Sequence, residues 1–283
     1  MNRLLPAGVA LCVLWTGVLY AADSTEKAEM NEQDRRQFEQ LRKQNWQETF
    51  HDTCTEDWTK LWTLDGLKAR ISHSDKGMDF HAGPNRNDAS HAVLWTRQSF
   101  SGDLRIEFDY TRLDEATKYV NIIYLHATGS GEEPYVKDIA QWARLRKVPR
   151  MSLYFDHMNA YHVSYAAFDN RNNDPTKDYI RARRYVAGEG LDGTDLSPDY
   201  FRTGMFATGV PHHLTLIKQG DDLFFEVRNA EKVLLCHWKT NTVPPLNEGR
   251  IGLRQMNTRA GRYRDFRVYI LPPTGATAPG NAP

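Results

Sequence analysis

Apolar and polar positions alternate most strictly in DLRIEFDYT, Asp103–Thr111. Leu104, Ile106, Phe108 and Tyr110 fall on one face, and Arg105, Glu107, Asp109 and Thr111 on the other, because successive side chains of an extended strand point to opposite sides. The same period predicts short strands at Leu67–Ile71 and Met78–His81, and longer ones at His91–Phe100, Tyr119–His126, Tyr161–Phe168 and Tyr179–Val186. Five more follow at His213–Lys218, Leu223–Arg228, Val233–Trp238, Gly249–Met256 and Asp265–Leu271, the first two joined by the turn QGDD. In the last two, Ile251 and Leu253, then Phe266, Val268 and Ile270, mark the core face, which turns Arg250 and Arg254 the other way. A short helix is expected around Asp138–Leu145, and the glycine-rich stretch from Ala187 to Phe201 reads as a long loop. Many evenly spaced strands and Gly/Asn/Asp turns predict an all-β domain, a jelly-roll β-sandwich of two antiparallel sheets with a concave binding face.

The ends of the chain read differently. Arg3, an apolar run from Leu4 to Tyr20 and small residues at Ala21 and Ala22 have the layout of a secretory signal peptide over residues 1–22, with an uncleaved anchor as the alternative. Export would place the protein outside the cell or in the periplasm. Residues 23–49 are polar and read as a helical or flexible spacer, residues 50–271 as the sandwich, and residues 272–283 as a disordered tail. No stretch after the leader is apolar enough to span a membrane. Lys+Arg and Asp+Glu balance at 36 each, so no basic field holds a polyanion, which argues against nucleic acid as a partner. Cys54 and Cys236 are expected either to pair or to stay as two buried thiols, and no Cys-x-x-Cys or His-Glu-x-x-His suggests zinc.

Chemistry concentrates in MSLYFDHMNAYHVSYAAF, Met151–Phe168, with Tyr154, Asp156, His157, Asn159, Tyr161, His162 and Tyr165. HAVLW (His91–Trp95), GDLRIEFDY (Gly102–Tyr110) and NAYHVSY (Asn159–Tyr165) resemble the YesU-like family of bacterial proteins. That resemblance implies a concanavalin-A-like lectin/glucanase fold over residues 50–271 and a setting of pectin and rhamnogalacturonan breakdown, without assigning catalytic residues. The leader and the glycine-rich loop from Ala187 depart from the family pattern.

Breakdown of an acidic polysaccharide by β-elimination needs a cation or an amide to neutralise the uronate, a base for the C5 proton and an acid for the leaving oxygen. Arg254 or Arg183 suits the first role, His126 or His162 the second and Tyr161 the third, with Asn121 assisting. Tyr124–His126 and Tyr154–Tyr161 are similar to the Gln-x-His and Tyr-Phe-Lys-x-x-x-Tyr motifs of jelly-roll alginate lyases, but the Gln and Lys are absent. Strand parity allows Tyr161 or His162 to face one cleft, not both, unless a bulge intervenes. Trp95, Asn121, Tyr124, His157, Tyr165 and Arg183 complete the substrate-binding candidates.

The rival is a non-catalytic, lectin-like module in which Trp95, Trp142, Tyr161, Tyr165 and Tyr179 stack on sugar rings. A third reading makes Glu107 and Asp109 a glycosidase pair, their Cα atoms roughly 6.5–7 Å apart along the strand. Strand histidines and tyrosines also serve simply as packing residues. Asp265, in RDFRVYIL, resembles the acid that sits beside a structural calcium in many carbohydrate-active jelly rolls.

Overall fold

A computed structural model describes residues 32–168 and 174–272; the expected leader lies outside the described residues, as does nearly all of the expected tail. Among the described residues fifteen strands carry the fold: β1 (Gln47–Asp52), β2 (Trp62–Asp65), β3 (Arg70–Ser74), β4 (Gly77–His81), β5 (Ala92–Ser101), β6 (Leu104–Arg112), β7 (Tyr119–Gly129), β8 (Met158–Phe168), β9 (Asp178–Tyr185), β10 (Asp195–Phe201), β11 (Pro211–Gln219), β12 (Asp222–Arg228), β13 (Val233–Lys239), β14 (Glu248–Gln255) and β15 (Ala260–Ile270). Helix α1 (Glu32–Arg42) precedes them, and α2 (Met151–Phe155) follows a 3₁₀ segment, Ile139–Arg146, in the connection from β7 to β8.

The strands form two sheets. Sheet I runs β13-β12-β11-β6-β15-β4-β3, with β1 also paired to β15, and sheet II runs β10-β9-β8-β7-β14-β5-β2. The pairs that build both are antiparallel, as in β6–β11, β6–β15, β7–β8 and β7–β14. β6 alternates as its sequence requires, with Leu104, Ile106, Phe108 and Tyr110 buried. They meet Leu214, Leu216, Phe225 and Phe266 of sheet I and Leu94, Ile123, Val163 and Leu253 of sheet II in one core between the sheets. Each such side chain, fully withdrawn from water, contributes about 1.5–3 kcal/mol. Cys54 and Cys236 lie in this core as free thiols, and burial raises both above the ordinary thiol range.

Three elements differ from expectation. Gln47 opens β1 inside the stretch read as spacer, and α1 is docked: Phe38 packs on Ile217, Phe224 and Leu235 of sheet I's outer face. Arg35 pairs with Glu226, and Gln37 donates to Asp222 at 2.8 Å. Strand β10 occupies the end of the glycine-rich stretch, adding an edge to sheet II. Residues 130–157 fold as a cap over sheet II's outer face, placing Ile139, Trp142, Leu153 and Tyr154 against Val93, Trp95, Ile122 and Tyr124. Among the described residues no helix is long and apolar enough to cross a membrane.

Candidate functional site

Sheet II sorts the expected site residues onto its two faces. Along β8, Tyr161, Val163 and Tyr165 turn into the inter-sheet core, while His162 and Ser164 turn outward. Two candidates are core residues: Tyr165 shares a 2.8 Å hydrogen bond with the hydroxyl of Tyr263, and Asn121 donates to the hydroxyl of Tyr110. Both are fully buried, which removes them from substrate contact.

The cap closes the outer face. Trp95, Tyr124 and Tyr154 stack, with ring centroids 5.4 Å apart for the first pair and 5.9 Å for the second. One carboxylate oxygen, Oδ2 of Asp65, accepts from Trp95 Nε1 at 2.7 Å, Arg146 Nε at 2.6 Å and the Tyr154 hydroxyl at 3.1 Å, tying cap to sheet. Arg254 lies under the cap, 4.6 Å from the Tyr154 ring, and donates through Nη2 to the carbonyl of Pro149 at 2.6 Å. His162 is held between the Tyr185 hydroxyl and Ser164 Oγ, and burial, then nearby arginines, keep it neutral. Trp95 and Trp142 are therefore no open platform for a sugar. Arg183 pairs with Asp195 at 3.0 Å, and His157 stacks on Tyr135 at 3.8 Å.

A cleft of about 420 Å³ opens at one end of the sandwich, lined by His126, Tyr161, Lys218, Asp103, Thr240 and Asn247 among others. His126 reaches it through a bulge. Leu125 pairs with Tyr161, but the next pair in register is Thr128 with Asn159, so β7 carries one extra residue there. His126 takes φ 53°, Leu125 stays in the inter-sheet core and Ala127 joins the outer cluster. Gly249 permits this, at φ 141°, since a Cβ there would strike the His126 carbonyl. Gly249→Ala is expected to cost about 1–3 kcal/mol by overpacking and strain, read as a lower urea midpoint at unchanged m.

Neither ring nitrogen of His126 makes a well-formed hydrogen bond, and both are withdrawn from solvent. Burial, reinforced by the Lys218 charge, pulls its pKa down to about 3, although the carbonyls of Gly102 and Leu246 at the ring's edge favour the proton. Lys218 sits 5.1 Å from the Tyr161 ring, donates to the Gly220 carbonyl and is itself lowered by burial. The sequence carried a signal for it: Leu214, Leu216 and Lys218 share one face of β11, so a lysine stands in an apolar register.

Residues 52–268 match the family described as Domain of unknown function (DUF1961). The chain belongs to the DUF1961 family. A relative, "Uncharacterized protein YesU" of Bacillus subtilis (strain 168), is 23% identical over 214 residues, covering 74% of this chain and 89% of that protein. A solved Bacillus subtilis protein of unknown function with a galectin-like fold superposes with TM-score 0.61 at 19% identity, over 80% of this chain and all of that one. The legume lectin-like domain from Entamoeba histolytica gives TM-score 0.50 at 7% identity, over 76% of this chain and 92% of that one. The fold of this DUF1961 protein is thus the lectin-type sandwich of two antiparallel sheets.

The elimination machinery expected from the sequence is not assembled in one place. His126 and Tyr161 share the end cleft, whereas Arg254, Arg183 and His162 lie on the opposite side of sheet II. Glu107 and Asp109 are on sheet I's outer face, paired with Arg105 at 3.3 Å and His213 at 2.8 Å, which is the arrangement of a charged exterior strand rather than a hydrolase pair. Asp265 engages Arg267 at 2.9 Å and the His51 ring at 2.6 Å, so its oxygens are already taken up by groups of the chain. Among the described residues no three His, Cys, Asp or Glu gather around a common point, and the expected calcium ligand has no companions.

Proposed function

We propose that this DUF1961 protein is an exported, non-catalytic saccharide-binding protein whose ligand docks in the end cleft. The observation that carries the reading is the cleft itself, whose lining joins a buried, neutral imidazole at His126, both nitrogens withdrawn from solvent, to the donors and acceptors of neighbouring polar side chains. Sugar hydroxyls both donate and accept, and the cleft surrounds His126 with Lys218, Thr240, Asn241 and Asn247. Its volume lies within the usual range for small-ligand sites, roughly 300–1,000 Å³. The lectin-type fold is in keeping with such a role.

Binding is favoured over elimination on chemical grounds. A general base works best with a pKa near the operating pH. An imidazole held at about 3 is a weak base, and the fork that would neutralise a uronate is on the other side of the sheet. The test is affinity electrophoresis of the mature protein in neutral and uronic polysaccharides, run beside an ultraviolet assay for unsaturated uronate. Retarded migration without absorbance growth is expected. His126→Ala should weaken retention about tenfold or more, equivalent to about 1.4 kcal/mol. A steady absorbance rise abolished by Tyr161→Phe would establish a lyase instead, and migration unaffected by every saccharide would remove the binding role.

A further inference from the structure

Arg254 is fully buried, yet no carboxylate of the described chain pairs with it. Its Nε donates to Met256 Sδ at 3.3 Å and its Nη2 to the Pro149 carbonyl, while Nη1 has no partner. The hydroxyl of Tyr124 is equally buried: burial pushes its pKa up to about 12, Arg254, within hydrogen-bond reach, opposes that rise, and its O–H has no acceptor. The groups around this guanidinium are neutral: the Tyr154 ring, Tyr185, His162 and His91. The nearest buried acid under the cap, Asp65, is committed to Arg146, Trp95 and Tyr154.

A buried charge is ordinarily paired, because an isolated one forfeits its hydration without compensation. Arginine differs from most buried groups in that it cannot shed its proton to escape that cost. Arg259, also fully buried, shows the usual solution in this same chain, with Asp114 at 3.0 Å. Arg254 has the donors for such a pair and lacks only the acid.

We propose that Arg254 and Tyr124 form a receptor for one carboxylate, presented by an acidic sugar residue that enters between the cap and sheet II. The Arg254 guanidinium and the Tyr124 hydroxyl are buried donors within reach of one another that meet no acid, which suits the two oxygens of a carboxylate. Met256, half-buried and bonded to Nε, lies between the guanidinium and solvent. The Pro149 carbonyl, which accepts from Nη2, is the cap atom that an incoming carboxylate would displace to take both guanidinium nitrogens. Ligand entry is thereby linked to movement of the cap segment just before α2. The carrier being a saccharide rests on the function proposed above; the carboxylate receptor itself does not.

Thermal unfolding of the mature protein in galacturonate, acetate and glucose, at constant ionic strength, tests this. A ligand that binds only the folded state raises Tm in proportion to its occupancy. Galacturonate should raise the Tm and glucose should not, and Arg254→Gln should weaken the apparent affinity for galacturonate at least tenfold. Tyr124→Phe keeps the stacked ring and should weaken it several-fold, which serves if Arg254→Gln fails to fold. Equal potency of acetate would support the receptor and make its source any small carboxylate; a clear advantage for galacturonate would make it a sugar acid. An unmoved Tm with both carboxylates, or a full shift retained in Arg254→Gln and Tyr124→Phe, would overturn the assignment. Cleft binding is read separately, with neutral saccharides and His126→Ala, so either idea can fail alone.

Discussion

Asp65→Ala is expected to remove about 3–5 kcal/mol of stability, the usual cost of deleting one partner from a buried ion pair. The carboxylate and its main partner, Arg146, are both withdrawn from solvent, at 2% and 1% side-chain exposure. Burial raises the pKa of Asp65, and Arg146, Trp95 and Tyr154 oppose that rise by charge and hydrogen bonds. Without it, the Arg146 guanidinium keeps a hydrogen bond to the Ile139 carbonyl and its contact with the Trp142 ring at 4.3 Å, but faces no acid. Trp95 Nε1 and the Tyr154 hydroxyl lose their acceptor as well. Since whole domains are stable by about 5–15 kcal/mol, the loss would be about a fifth of the total or more. Urea unfolding followed by tryptophan fluorescence reads it directly. The double variant Asp65→Leu/Arg146→Met should recover most of the loss, because well-packed apolar residues often replace a buried pair at no net cost. A single-variant loss below about 1 kcal/mol would mean that the cap is held by its apolar contacts alone.

The sheets and the facing of most strands were legible because period-two alternation is a local property. β6 shows it, and so does β14, where Ile251 and Leu253 face the core and Arg254 faces away. Parity also separated Tyr161 from His162 correctly. The bulge at His126 was not legible, because positive φ at a histidine and an opposing Gly249 are matched only once β7 and β14 are paired. The cap was hidden for a similar reason. Asp65 and Arg146 meet across 81 residues, and no local pattern announces such a pair. One hint did exist: β5 and β7 carry apolar residues on both faces, Val93 and Trp95 opposite Leu94, Ile122 and Tyr124 opposite Ile123. Strands of that kind are covered on both sides, so an open aromatic face was the less consistent expectation.

The second large effect should come from acid. His91, His126, His162 and His212 are buried with pKa values lowered below 6.5, the first two to about 3, chiefly by desolvation of the charged ring. Below 6.5 the unfolded chain takes up protons at these rings and the folded chain does not, so stability falls as pH falls. Each ring contributes about 1.4 kcal/mol per pH unit while its folded form stays neutral, and the four together up to about 5 kcal/mol per unit. His213 has the opposite shift, raised by Asp109; its stabilisation is fully present below 6.5 and adds no slope there. In its upper part the window lies above the ordinary carboxylate range of about 4, so the histidines dominate there, opposed by Asp65 and Asp178, whose pKa values burial raises. Urea midpoints measured downward from neutral pH should fall steeply, with a proton uptake on unfolding of about three to four well below 6.5. His126→Asn should remove about one proton from that slope, and a saccharide seated on neutral His126 should oppose the loss by mass action. A midpoint that stays flat over the first two units below neutrality would show that these rings gain charge without unfolding the chain, and the neutral imidazole on which the cleft's donor–acceptor pairing depends would have to be abandoned.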